Sequence, residues 1–77
     1  MVSAYILIQT EGGKAGQVCA EIASIEGVVA VDAVSGPYDI VAKAEAEDLD
    51  LIAKGTVMPI QSLDGITRTL TCPVMVL

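Results

Sequence analysis

The chain has 77 residues, 53% of them hydrophobic, with two Tyr and no Phe, Trp or His. Its four basic side chains, Lys14, Lys43, Lys54 and Arg68, are scattered against ten acids for a net charge of −6, which argues against direct nucleic-acid binding, because neutralising phosphates takes clustered Lys and Arg. Without His and with only Cys19 and Cys72, the chain lacks the commonest general base and has too few good ligands for a tetrahedral zinc site.

Residues 2–10 (VSAYILIQT) are rich in β-branched and aromatic side chains and run into Glu11-Gly12-Gly13, a strand followed by a turn. From Lys14 the period changes. Ala15, Val18, Cys19, Ile22 and Ile25 recur at helical spacing, and Gly27 is suited to stop a helix over residues 14–26. The glycines around Lys14 lack the spacing of a phosphate-binding loop, so a turn and helix start is the expected reading.

Two further strands follow, residues 28–35 (VVAVDAVS) and 38–45 (YDIVAKAE), joined through Gly36-Pro37 as a hairpin. The acidic group Glu45, Glu47, Asp48 and Asp50 does not match a calcium loop and is expected to cap and complement a second helix that begins near it. Leu49, Ile52, Ala53 and Val57 carry that helix's apolar spacing, and Pro59, which has no N–H, predicts a kink or break. After Leu63-Asp64-Gly65, residues 66–77 (ITRTLTCPVMVL) read as a last strand, and Pro73 places it on a sheet edge.

The order β-α-β-β-α-β predicts an α+β, ferredoxin-like fold: a four-stranded antiparallel sheet with two helices on one face. Ile25-Glu26-Gly27-Val28 ends the first helix much as Leu63-Asp64-Gly65-Ile66 ends the second, an echo of internal symmetry. In strand one, Ala4, Ile6 and Ile8 alternate with Tyr5, Leu7 and Gln9. In strand three, Ile40, Ala42 and Ala44 alternate with Val41 and Lys43. Both sheet faces therefore carry apolar side chains, and two helices cover only one of them. A chain of this size is marginally stable alone, and an uncovered apolar face marks an interface. A homo-oligomer built on a two-fold axis is expected, with residues 1–77 as one domain.

The stretch Ser35-Gly36-Pro37-Tyr38-Asp39 is the most informative for function. One reading is a hairpin turn in which Asp39 bonds free backbone amides. The other is a small polar pocket near a subunit boundary in which Asp39 pairs with a ligand ammonium group. Residues 1–9 are too short and uncharged for a signal peptide, and polar residues interrupt every apolar run. A cytoplasmic protein with two reduced cysteines and no membrane segment is expected.

Taken together, the helix end Ile25-Glu26-Gly27-Val28, the hairpin Ser35-Gly36-Pro37-Tyr38-Asp39, and Leu63-Asp64-Gly65-Ile66 running into Thr67-Arg68-Thr69-Leu70-Thr71 resemble the ligand-binding (RAM) domain of Lrp/AsnC transcription regulators over essentially the whole chain. The resemblance is to a version of that domain without the regulators' helix-turn-helix DNA-binding domain. It implies dimers formed sheet to sheet, dimers assembled into rings, and an amino acid bound between dimers at a site bordered by Gly36, Tyr38, Asp39, Thr69 and Thr71. It implies no catalytic residue and no cofactor. Full-length regulators of the family become candidate partners, with transcription regulation as the outcome. The alternatives are a purely structural assembly subunit and a dimeric α+β barrel enzyme.

Overall fold

In the computed structural model, which describes residues 1–77, strand β1 (Val2–Thr10) forms over the stretch where apolar residues alternate. Helix α1 (Ala15–Ala23) follows, then β2 (Val28–Ala33) and β3 (Ile40–Ala46). The second helical segment is composite: α2 (Leu49–Ile52), a π-helical turn (Ala53–Val57) and α3 (Met58–Gln61). Strand β4 (Ile66–Pro73) closes the fold. The sheet is antiparallel with order β2-β3-β1-β4, so β4 is an edge strand, as Pro73 requires. This is the expected ferredoxin-like topology. No helix is long and apolar enough to cross a membrane.

Several boundaries differ from the expected ones. Helix α1 ends at Ala23 rather than Glu26 because the Ser24, Ile25 and Val28 amides donate to carbonyls three residues back, turning the chain early. The β2–β3 connection occupies residues 34–39, longer than a tight Gly-Pro turn. Strand β4 stops at Pro73, which has no donor to continue the ladder, although the Val74 amide still donates to Ser3 O at 2.9 Å. Beyond it Met75, Val76 and Leu77 are exposed.

Pro59 does not break the helix, and the irregularity expected near it is a π turn just ahead of it. Val57 (φ −67°) and Met58 (φ −61°) remain helical, and the Met58 amide donates to Ala53 O, one residue further back than in an α-helix. This wider turn sits before Pro59 and makes the proline part of a first α-turn, where a missing N–H leaves no bond unmade. The second helix starts as its acids suggest: the Leu51 amide donates to Asp48 Oδ1 at 2.8 Å. Asp48→Ala should cost about 1 kcal/mol, which lowers the melting temperature by about 4–8 °C; an unchanged melting curve would show that solvent caps the helix equally well.

The core lies between the sheet and the helices. Ala4, Ile6 and Ile8 of β1 and Ile40, Ala42 and Ala44 of β3 are fully buried against Val18, Ile22, Ile52 and Ile60. Period-2 alternation on the strands and period-3.6 spacing on the helices aim these side chains into one layer. Cys19 packs against this layer, whereas Cys72 sits opposite Tyr5 on the other side of the sheet, so the sheet separates the two thiols.

The two helix-to-strand turns repeat one device. Gly27 (φ +92°) and Gly65 (φ +94°) occupy the left-handed region, and the other half of the chain packs onto each: Thr56 onto Gly27, Lys14 onto Gly65. Thr56 Oγ1 donates to Glu26 O at 2.9 Å, and Lys14 Nζ donates to Asp64 Oδ2 at 3.0 Å. The hydrogen bond and the charge of Asp64, with Glu11 adding to them, raise the Lys14 pKa. With the folded value above the unfolded one, this contribution is fully present at neutral pH and is lost only as pH rises past the ordinary lysine range.

Candidate functional site

Asp39 lies at the foot of β3, where its amide donates to Ile8 O and its carbonyl accepts from the Val34 amide, each at 2.9 Å. The next amide of β1 facing β3 is that of Thr10, but here the partner chain has bent away through Gly36-Pro37-Tyr38. The Asp39 carboxylate takes the place of the missing carbonyl: Oδ2 accepts from the Thr10 amide at 2.8 Å and from Thr10 Oγ1 at 3.4 Å. Gln9 Nε2 donates to Pro37 O at 2.8 Å. The hairpin is thus fastened to the end of β1 at several points, with Gly36 (φ +154°) exposed at its turn and Tyr38 and Asp39 half-buried.

Thr69 and Thr71 lie across β1 from that hairpin. Their register partners, Ile8 and Ile6, are core residues, so both threonines are on the helix-covered face, on its open margin at the edge strand. Thr69 is half-buried and its Oγ1 accepts from Gln61 Nε2 at 2.9 Å; Thr71 is exposed. Ile8 pairs with Thr69 on one side and Ile40 on the other. The hairpin and Thr69 therefore share one end of the sheet but stand two strand spacings apart, roughly 10 Å. Thr71 lies two residues further along. Within one chain Gly36, Tyr38 and Asp39 share the hairpin, Thr69 stands across β1 from it and Thr71 lies further along the edge strand, so the five predicted residues are not gathered into one enclosed site.

Three polar residues at this rim of the sheet escape a reading of the sequence. Gln9 and Thr10 hold the hairpin, and Gln61 orients Thr69. Only Gln9 carries a visible sign, a polar side chain following Tyr5 and Leu7 at the outward positions of β1.

The chain's cavity lies at the other end of the sheet. It measures about 440 Å³ and is lined by Glu26, Gly27, Glu45, Glu47 and Thr56 among others, with none of the five predicted residues. No group of three or more potential metal-ligating side chains is present. The acids near this cavity have local roles: Asp48 caps α2, Asp50 pairs with Lys54 at 3.3 Å, and Glu45 lies 4.0 Å from Lys43.

The uncovered sheet face has an apolar centre and a charged border. Val41, Leu7 and Leu70 stand in one row, and Lys43, Tyr5 and Cys72 in the next. Tyr5 is 43% and Leu70 45% exposed, high values for large apolar side chains in mid-strand. The Lys43 ammonium rests 5.7 Å from the Tyr5 ring centroid, within cation–π range. Asp32 on β2 and Arg68 on β4 mark the two edges of this face.

Comparison with known proteins matches residues 3–76 to the family model described as the Lrp/AsnC ligand binding domain. Among solved structures, TTHA0845 from Thermus thermophilus is 31% identical with a TM-score of 0.92, over 100% of this chain and 96% of that one. The hypothetical protein PHS023 from Pyrococcus horikoshii is 28% identical with a TM-score of 0.88, over 99% of this chain and 92% of that one. The transcriptional regulator NMB0573 from Neisseria meningitidis, solved as a complex with L-Met, shares the fold at 18% identity and a TM-score of 0.73; this chain is covered to 96% and spans 49% of that chain. No curated protein matches.

Proposed function

The chain belongs to the Lrp/AsnC ligand binding domain family, and from that premise we propose that residues 1–77 act as an effector-binding and oligomerisation module, not an enzyme, that takes a small amino acid at a boundary between subunits. The observation that carries this reading is that the stapled hairpin and the Gln61–Thr69 pair share one end of the sheet, with β1 between them. Gly36, Tyr38, Asp39, Thr69 and Thr71 border the site, and a second subunit closes what one chain leaves open. Hydroxyls and free amides there suit a carboxylate, and the unoccupied lone pairs of the Asp39 carboxylate suit an ammonium group.

Association proceeds sheet to sheet into a dimer, and dimers assemble further into rings. Regulation of transcription is then indirect, through full-length Lrp/AsnC regulators in the cytoplasm, because the chain's net charge of −6 disfavours contact with DNA phosphates. The centre of the uncovered face offers the apolar side chains of Leu7, Val41 and Leu70, a surface suited to covering by a second sheet, which favours association over a barrel enzyme's open cavity.

Titration calorimetry with the common amino acids, L-methionine first because NMB0573 was solved with it, tests the reading. A wild-type protein that binds none of them would leave the purely structural assembly role, which the open rim of the single chain also favours. Asp39→Ala distinguishes the two duties of that carboxylate. Its bonds to Thr10 make bracing the principal one, so stability should fall by about 1.5–3 kcal/mol, read as a lower melting temperature without ligand. A variant that melts like wild type yet binds ten- to a hundred-fold more weakly would assign the carboxylate to the ligand instead.

A further inference from the structure

Arg68 is the one Lys or Arg side chain with no ion pair inside the chain: Lys14 reaches Asp64 at 3.0 Å, Lys54 reaches Asp50 at 3.3 Å and Lys43 reaches Glu45 at 4.0 Å. Asp32 is likewise unpaired among the chain's salt bridges. Both belong to the uncovered face, because their register partners, Gln9 for Arg68 and Val41 for Asp32, alternate with buried core residues. They stand on opposite edges of the sheet, Arg68 on β4 and Asp32 on β2. Three strand spacings, roughly 14 Å, keep them apart within one chain.

We propose that Arg68 of one chain pairs with Asp32 of a second copy across the uncovered face, and that this pair sets the axis about which two copies associate. The inference rests on the sheet-to-sheet association proposed above and adds its geometry. A two-fold axis parallel to the strands exchanges the edges, so each β4 lies over β2 of the other copy. Arg68 then comes to rest within one row of Asp32, and its long side chain spans sheets packed roughly 10 Å apart. An in-plane axis perpendicular to the strands lays β4 on β4 and brings Arg68 over the Cys72-Pro73 end, which carries no carboxylate. Charge matching selects the first arrangement. The symmetry makes two such pairs, one on each side of the apolar centre formed by Leu7, Val41 and Leu70.

Sedimentation equilibrium on wild type, Arg68→Glu, Asp32→Lys and the double variant tests the pair. Each single reversal places like charges together at two symmetric points and should weaken association about tenfold or more; the double variant, with the charges exchanged, should return to within about threefold of wild type. Single variants that associate like wild type, or a double variant as weak as the sum of its parts, would overturn the pairing while leaving the dimer in place. A wild-type protein that stays monomeric overturns the association reading itself and assigns this face to a different protein.

Discussion

Leu7→Lys or Val41→Lys should raise the dissociation constant for self-association at least about a hundredfold, leaving a monomer at micromolar concentration by sedimentation. The two residues are register partners at the middle of the uncovered sheet face, with Leu70 completing their row. An ammonium group placed there must lose its water when a second sheet covers it, and a buried unpaired charge costs several kcal/mol. Lysine escapes such a cost only by reaching a rim, and the middle of the face is the position furthest from one. The core on the other face is untouched by either change, because Ile6, Ile8, Ile40 and Ala42 point the opposite way and are fully buried. Far-ultraviolet circular dichroism of the monomer should therefore keep its native form. An oligomer of unchanged size in both variants would mean that subunits meet through some other surface.

Gly27→Ala should produce the largest loss of stability of any single methyl addition, about 3 kcal/mol. Gly27 has φ +92°, and a Cβ there would lie 2.5 Å from Thr56 Oγ1. The left-handed conformation costs an alanine about 1–2 kcal/mol. Displacing Thr56, which is 2% exposed and donates to Glu26 O at 2.9 Å, costs about 1–3 kcal/mol more. The melting temperature should fall by more than about 10 °C. Gly12 supplies the control, since no heavy atom lies within 4 Å of a Cβ built there, and Gly12→Ala should melt close to wild type. Equal melting of the two variants would refute the close contact between the two halves of the chain.

The elements that declare themselves in the sequence are those whose signal is local and repeated. Strand β1 occupies the expected stretch, Val2–Thr10, because its alternation is unbroken and β-branched residues favour a pleated surface. Asp48 is legible as a helix start for the same reason, since a cap is a contact made within three residues. Pro59 marks the irregularity but not its form, because a proline's effect depends on its position within the helix, and the π turn ahead of it makes Pro59 part of a first α-turn. Ser24-Ile25-Glu26 misleads because Ile25 fits the helical period while its amide already closes a tighter turn.

The rim is less legible because it is made by pairings distant in sequence. Asp39 and Thr10 are 29 residues apart, and nothing near either one announces the other. Turn chemistry alone admits both a bracing and a binding carboxylate, and the bracing contact becomes visible only in the backbone path, which leaves the Thr10 amide for the Asp39 carboxylate to accept. Gln61 is silent in the sequence since its meaning depends on Thr69 in the next strand.

The stapled hairpin also bears on how tightly an effector can be held. A loop that orders only when its ligand arrives loses backbone freedom of about 1–2 kcal/mol per residue at that moment. Here residues 34–39 are fastened at Val34, Pro37 and Asp39 by hydrogen bonds within the chain itself, so that entropy is lost on folding. On the proposed function, contacts from this hairpin to an amino acid would not have to offset that ordering cost a second time.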